Sequence, residues 1–229
     1  MTRTVDAGLL LMQVTNREGF ELAIRPHFLP SECELIMRAY RLAKYGHKEQ
    51  MREGGIRYFE HPKALALLLV RLGVRDVPVI IAALLHDVIE DSYILELADI
   101  EAWFGADACR TVQLLTKDKK EGLTLAQYFD RLLKGGFRGW LGKLADRLHN
   151  MSTLVDGDDP EKREKFRQKK LRQVAETREF ILPLATALSA APGYEVLGQW
   201  FFDQLTAWCE LREAEALAAA PVVSEAQSA

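Results

Sequence analysis

Residues 82–91 of this chain read AALLHDVIED, and this stretch decides how the rest of the sequence is interpreted. The apolar residues that precede His86 and Asp87 would bury a helix on most of its sides. A buried histidine and a buried carboxylate are costly unless they are paired or bind a metal ion. Glu90 and Asp91 follow one turn later, so they project toward the same side of the helix. The stretch therefore predicts a metal site, and the alternatives are a hydrogen-bonded core histidine and a solvated last turn.

Two further segments carry residue types that could complete a metal site. Residues 52–62 read REGGIRYFEHP, and residues 143–154 read KLADRLHNMSTL. A histidine at a helix start, or an aspartate on a helix, means little alone. Together with the pair in the first stretch they supply two imidazoles and two carboxylates, a set that suits Mn²⁺, Fe²⁺, Co²⁺, Ni²⁺ or Zn²⁺. The candidate metal ligands are His61, His86, Asp87 and Asp146.

Polar residues beside these candidates predict the rest of a hydrolytic site. A bound divalent ion lowers the pKa of a water molecule, which a neighbouring carboxylate can orient or deprotonate. Glu90 and Asp91 are the carboxylates placed for that role. Asn150 and Thr153 lie one and two turns after the aspartate of their segment, on the same helix face. An exposed polar face is the alternative for this stripe, and His149 is interpreted as a supporting or core histidine.

Composition excludes several classes of protein. The chain has 229 residues, of which 48% are hydrophobic, and its net charge of −3 creates no field that favours nucleic acid or an anionic membrane. Its longest apolar run, residues 64–70, is far shorter than the roughly 20 residues that a membrane-spanning helix needs. The three cysteines form no CxxC pair, which favours reduced thiols. We therefore expect a cytoplasmic protein without a nucleic-acid or membrane partner, and a homo-oligomer remains possible.

Nearly every segment has a helical pattern, and alternating strand patterns are scarce. We therefore predict an all-α helical bundle, in which Ser31 and Glu34 form a capping box at one helix start. Gly105 separates two short helices, and Pro183 kinks or divides a long helix that begins near Glu161. The predicted organisation is an N-terminal extension (1–30), a metal phosphohydrolase domain (31–190), and a C-terminal helix with a disordered tail (191–229).

Several strings, in the same order, resemble the hydrolase domain of RelA/SpoT homologues, an HD-type phosphohydrolase that removes the 3′-pyrophosphate of (p)ppGpp. The likeness covers roughly residues 31–190. The loop from Arg52 to Pro62 resembles the family pattern R-x-x-G-x-x-Y-x-x-H-P, and the string KLADRLHNM matches nearly letter for letter. Besides the AALLHDVIED helix, the shorter matches are LTK at 115–117, AET at 175–177 and LPLA at 182–185.

The resemblance implies an HD-domain bundle, a (p)ppGpp substrate and a role for each candidate residue. The implied metal ligands, usually for Mn²⁺ in this family, are His61, His86, Asp87 and Asp146. The implied catalytic acidic pair is Glu90 and Asp91. The implied nucleotide contacts are Arg52 against the guanine base, with Asn150 and Thr153.

The chain also departs from the family pattern. Glu53 replaces a common basic residue, Arg57 replaces a proline before Tyr58, and Ser152 replaces a frequent arginine. No synthetase region follows the hydrolase region, so we expect a stand-alone small alarmone hydrolase that does not make (p)ppGpp.

These departures leave other functions open. One is hydrolysis of another nucleotide, such as NADPH at its 2′-phosphate, and the other is non-catalytic nucleotide binding. The basic run from Lys162 to Arg172 is either a solvated helix face or the source of one or two phosphate contacts. Further candidates for such contacts are Lys48, Arg57 and Lys143.

Overall fold

The computed structural model describes residues 16–91, 95–117, 122–155 and 159–219, and of Asp91 it describes the backbone. Within these ranges the chain is helical and has no β-strand beyond an isolated antiparallel bridge between Met51 and Arg57. The predicted all-α class is confirmed. The helices are α1 (Arg17–Ile24), α2 (Pro30–Gly46), α3 (Glu60–Arg71), α4 (Val77–Asp91), α5 (Leu97–Phe104), α6 (Ala106–Leu115), α7 (Leu125–Lys134), α8 (Phe137–Ser152), α9 (Pro160–Glu176), α10 (Leu182–Ser189) and α11 (Glu195–Ala218).

Helix α4 lies at the centre of the bundle and carries the AALLHDVIED stretch. Every residue from Val79 to Leu85 is buried, because this helix packs against α2, α3, α6 and α8. Each large aliphatic side chain that is fully buried contributes roughly 1.5–3 kcal/mol to stability. His86 and Asp87 therefore stand on an element that the core holds in place.

Helices α3 and α8 pack against α4 and bring further candidate ligands to it. In α3 every residue from Leu65 to Val70 is buried, and α8 buries a stripe of leucines. Helix α8 approaches α6 closely at Gly142, where a β-carbon would stand 2.5 Å from the Leu115 side chain. A larger residue at position 142 would force either the buried Leu115 side chain or α8 itself to move.

The C-terminal helices form a layer against α8. The long helix predicted in this region is divided: α9 ends at Glu176, a π-helical turn covers Thr177–Ile181, and α10 begins at Leu182. Pro183 has no N–H to continue the α-helical bonding, which accounts for the division. In α11, Phe201 and Leu205 are fully buried in the common core.

The start of α2 differs from the prediction of a Ser31 cap. The helix begins at Pro30, and the Glu32 carboxylate accepts a hydrogen bond of 2.8 Å from the Leu29 N–H. Proline suits the first helical position because its φ is already helical and its missing N–H is not needed there. The cap therefore moves back to Leu29. The predicted break at Gly105, whose φ is 86°, separates α5 from α6 as expected.

The predicted division into three regions remains a prediction. The described part of the N-terminal region contains α1, whose Phe20 and Ile24 are fully buried in the common core. The predicted C-terminal helix is α11, while the tail at 220–229 lies outside the described residues. None of the described helices is long and apolar enough to cross a bilayer.

Candidate metal centre

Side chains from three helices meet at one buried point. His61, His86 and Asp146 each offer one ligand atom, and these atoms all lie within 4.8 Å of one another. His61 Nε2 is 3.2 Å from Asp146 Oδ1. Asp87 lies beside them, with Oδ1 3.1 Å from His86 Nε2 and Oδ2 3.6 Å from His61 Nε2. The structure thus brings together the four residues that the sequence nominated as metal ligands.

The hydrogen bonds around His61 indicate which of its nitrogens faces this group. His61 Nδ1 lies 2.9 Å from His149 Nδ1, and Arg52 Nη1 lies 3.2 Å from the same nitrogen of His149. An arginine only donates, so His149 Nδ1 is the acceptor and the N–H of His61 is on Nδ1. Burial, together with the positive charge of Arg52, lowers the pKa of His149 to about 2 and keeps its ring neutral. His61 Nε2 therefore presents a lone pair to Asp146.

His86 is arranged in the same way. Its Nδ1 lies 3.3 Å from the Ala83 carbonyl, so an N–H there leaves the lone pair on Nε2. That Nε2 atom is buried, and it has no hydrogen bond of good geometry among the described residues, although an Asp87 oxygen is near. Burial would lower the pKa of His86, but Asp87 raises it to about 9, so a proton competes for this position. Two imidazole lone pairs and two carboxylates around one point fit a divalent metal ion.

The charge of Asp146 is held by its neighbours. Burial would raise its pKa, but the Lys143 ammonium holds it well below the usual range. Lys143 Nζ lies 2.8 Å from Oδ2, and Asn150 Nδ2 donates to Oδ1 at 2.6 Å. Burial would likewise lower the pKa of Lys143, but Asp146 raises it. A charged ammonium therefore stands beside an ionised candidate ligand.

Glu90 lies one turn after His86, where the LTK segment of the sequence contacts α4. Burial raises the pKa of Glu90, and the bond it accepts from the Lys117 backbone N–H lowers it in part, so the net shift is upward. Thr116 Oγ1 donates to the His86 carbonyl at 3.3 Å. The side chain of Asp91, the second member of the predicted acidic pair, lies outside the described residues.

A cavity of about 280 Å³ shares a wall with this centre. Tyr58 lines the cavity and donates to Asp87 Oδ2 at 3.0 Å, and Asn150 lines it while it bonds to Asp146. Arg52 Nη2 donates to Asn150 Oδ1 at 2.5 Å. The lining residues, which include all three predicted nucleotide contacts, are Met51, Arg52, Glu53, Tyr58, Asn150, Thr153, Leu154, Lys169 and Gln173.

Helix α9 supplies a wall of the cavity that sequence reasoning did not place. Glu53 forms an ion pair with Lys169, and its carboxylate lies 4.0 Å from Lys165 Nζ. Gln173 Oε1 is buried and has no hydrogen-bond partner in the described part of the chain. In the sequence, Lys169 belongs to the basic run at 162–172 and Gln173 carries no signal, because the break predicted before Pro160 leaves open which face of α9 packs against the loop.

Comparison with known proteins gives the family. The sequence profile of the HD domain family matches residues 39–175, which is more than half of the chain. The guanosine-3′,5′-bis(diphosphate) 3′-pyrophosphohydrolase of Aquifex aeolicus (strain VF5) is 36% identical over 182 residues, covering 77% of this chain and 25% of the relative. A probable GTP pyrophosphokinase of Mycobacterium leprae (strain TN) is 34% identical over 179 residues, covering 74% of this chain and 21% of the relative.

The chain therefore spans about a fifth to a quarter of the length of these curated relatives. A solved structure of a metazoan orthologue of SpoT, described as hydrolysing ppGpp with a role in starvation responses, is 25% identical. Its TM-score is 0.48, and the match covers 80% of this chain and 94% of the other. The predicted resemblance to RelA/SpoT homologues is confirmed by the curated relatives, and the chain belongs to the HD domain family.

Proposed function

We propose that this chain is a metal-dependent hydrolase that removes the 3′-pyrophosphate of (p)ppGpp. The observation that carries the proposal is the wall shared by the metal centre and the 280 Å³ cavity. Tyr58 and Asn150 line the cavity and also bond to the candidate ligands Asp87 and Asp146. One nucleotide could therefore place its base in the cavity and its phosphates at the centre. A relative named as a 3′-pyrophosphohydrolase supports this assignment.

We assign the ion to the four candidate ligands and propose Mn²⁺ as its identity. When bound, such an ion lowers the pKa of a water molecule and stabilises charge on an attacked phosphoryl oxygen. The chain of hydrogen bonds from Arg52 through His149 holds His61 in the tautomer whose Nε2 is available to the ion. The four ligands are His61, His86, Asp87 and Asp146.

In the proposed reaction, water adds to the phosphorus bonded to the ribose 3′ oxygen, and the bond between that phosphorus and that oxygen breaks. The products are pyrophosphate and GDP or GTP, whose 3′ oxygen takes up a proton. Glu90 accepts the proton of the water, because burial raises its pKa and makes it a stronger base. Asp91 is assigned to the same acidic pair. Lys143, charged beside the centre, stabilises the anionic phosphates.

The nucleoside is assigned to the cavity. The Arg52 guanidinium lies 5.8 Å from the centroid of the Tyr58 ring and is anchored by its bond to Asn150, and we assign it to the base because a planar guanidinium stacks on aromatic rings. Thr153 Oγ1 donates to the His149 carbonyl at 2.9 Å, which leaves its lone pairs for a donor of the ligand. Arg52, Asn150 and Thr153 are therefore the proposed nucleotide contacts.

A second candidate is hydrolysis of another phosphorylated nucleotide, such as NADPH at its 2′-phosphate. The observation that favours it is the Glu53 carboxylate on the cavity wall, at a position where the resemblance leads one to expect a basic residue. The Glu53 carboxylate forms an ion pair with Lys169. A negative charge at this position would change which base and phosphate groups the cavity binds.

The test is turnover of ppGpp by the purified chain with Mn²⁺, with and without EDTA, and with products separated by ion-exchange chromatography. Release of GDP and pyrophosphate that EDTA abolishes is the expected result. If the folded, metal-loaded chain leaves ppGpp intact but releases phosphate from NADPH, the second candidate is correct. If it binds nucleotides and consumes neither, the chain is a binding protein.

We also propose a cytoplasmic location, which the three unpaired cysteines support. A homo-oligomer remains a prediction that size-exclusion chromatography with light scattering would decide.

A further inference from the structure

A second and larger cavity, of about 540 Å³, lies between the start of α1, the end of α2 and the start of α3. We call it the basic cavity, because its lining contains five cationic side chains but only one carboxylate, that of Glu60. This contrasts with the net charge of −3 of the whole chain. Its cations are Arg17, Lys44, Lys48, Arg57 and Lys63.

The chain itself neutralises only part of this charge. Glu60 lies 2.5 Å from Lys63, and the exposed Glu49 lies 3.3 Å from Lys48. Across the described ranges of the chain, the other three cations of the basic cavity have no salt-bridge partner. Like charges around a concave surface repel one another and concentrate the potential inside it, so an anion there would be favoured.

A buried polar atom at the basic cavity also lacks a partner. His47 lines the cavity and is 1% exposed. Its Nδ1 lies 2.6 Å from Gln50 Oε1, whereas its Nε2 is buried without a hydrogen bond to any described residue. Buried polar atoms in folded proteins are nearly always satisfied, so such an atom indicates a missing water or ligand group.

We propose that the basic cavity is a second anion site, which binds a compact polyphosphate group, either as free polyphosphate or as the phosphate chain of a nucleotide. Several cations spread over one concave surface suit a chain of phosphates better than a single carboxylate. The ring of His47 stacks on Tyr58 with centroids 4.7 Å apart, and Tyr58 bonds to Asp87. A ligand at His47 is therefore two side chains away from the metal centre.

The test is isothermal titration calorimetry of the full chain in EDTA with inorganic pyrophosphate alone. The site variant combines Arg17→Glu with Lys44→Glu, two exposed positions. The matched control combines Arg110→Glu with Lys134→Glu, two exposed cations away from the cavity. A third variant, Lys143→Ala, removes the cation at the metal centre.

We expect the site variant to lose about tenfold or more of its pyrophosphate affinity, while the control and Lys143→Ala stay within about twofold, because the Coulomb attraction acts locally at ordinary salt. No binding by the unaltered chain, or binding lost only in Lys143→Ala, would overturn the proposal. A parallel titration with GDP distinguishes the sources. If the site variant loses affinity for GDP as well as for pyrophosphate, the ligand is the phosphate chain of a nucleotide. If it loses affinity for pyrophosphate only, the ligand is free polyphosphate.

Turnover of whichever nucleotide the chain hydrolyses separates this site from the substrate site. We expect kcat and KM of the site variant to stay within about twofold of those of the unaltered chain. A KM about tenfold higher would make the basic cavity part of the substrate site and would overturn its assignment as a second site.

Discussion

The metal centre and the 280 Å³ cavity beside it share a wall, but different kinds of side chain build them. The centre stands on α3, α4 and α8, where His61 and His86 are 2% and 3% exposed. The cavity is formed by the loop at 51–58, by the C-terminal end of α8 with the residues that follow it, and by α9; the side chains of Glu53 and Lys169 in its wall are 41% and 28% exposed and form an ion pair. Packing in the core fixes the positions of the side chains at the metal centre, whereas partly exposed ion pairs determine the charge of the cavity wall. Changes at the centre should therefore abolish activity, and changes at the cavity wall should retune it.

The largest effect is expected from a candidate ligand. Asp146→Ala removes one carboxylate from the centre and leaves Lys143 without its partner. We expect loss of metal and a fall in turnover of about 1,000-fold or more, because both water activation and charge stabilisation depend on the ion. Metal content by mass spectrometry and turnover should fall together. Asp130→Ala, an exposed aspartate on α7, is the control. A variant that loses metal but keeps its rate would refute the site.

The next effect concerns Glu90, which stands at the centre without being a candidate ligand. Glu90→Gln keeps the shape and the hydrogen-bonding oxygen but removes the base. We expect metal content to stay constant and kcat to fall by about 100- to 10,000-fold, the usual contribution of a general base. Glu101→Gln, an exposed position on α5, is the matched control. An unchanged kcat would assign the base role elsewhere, with Asp91 as the next residue to substitute.

The two regions also differ in how far the sequence predicted them. The candidate ligands could be nominated from the sequence because they lie in recognisable patterns: a His-Asp pair after a run of aliphatic residues, the string KLADRLHNM, and the loop that ends in His61 and Pro62. The cavity-wall residues Lys169 and Gln173 could not be predicted. They lie in α9, a highly charged helix whose solvent-facing and inward-facing sides have similar composition. Which face of α9 packs against the loop at 51–58 is determined by tertiary structure: by the π-helical turn that separates α9 from α10, and by the packing of α11 against α9.

A network of charged side chains links the end of α8 to α9 and α11, and its removal should lower the stability of the fold. Arg212 of α11 donates to the Met151 and Ser152 carbonyls at the end of α8, at 2.8 and 3.2 Å. Glu215 accepts from Arg212 at 2.7 Å and pairs with the buried Lys170 of α9 at 2.9 Å. Glu215→Gln should lower the free energy of unfolding by about 1–2 kcal/mol, because the buried Lys170 then loses the negative charge of this partner.

This effect should depend on pH. Burial would raise the pKa of Glu215, but Lys170 and Arg212 lower it below the ordinary 4.5. The stabilisation is therefore present above that value and is lost as the pH falls through the lowered pKa. Urea denaturation at pH 7 and in acid should show the unaltered chain and Glu215→Gln converging in acid. Glu213→Gln, in an exposed pair with Arg178, should change stability by less than about 0.5 kcal/mol. A constant difference at every pH would contradict this role for Glu215.

The smallest effect tests the cavity wall. Glu53→Ala breaks the pairs with Lys165 and Lys169 and leaves both ammonium groups available to an anionic substrate. We expect KM for ppGpp to fall about three- to fivefold with kcat nearly unchanged, because an exposed pair is worth roughly 1 kcal/mol or less. Glu164→Ala, which breaks a pair with Arg167 on the same helix, should leave KM unchanged. High salt should shrink the gain, because it screens exposed charges. If KM instead rises, the Glu53 carboxylate contacts the substrate directly, and the acidic wall selects the base.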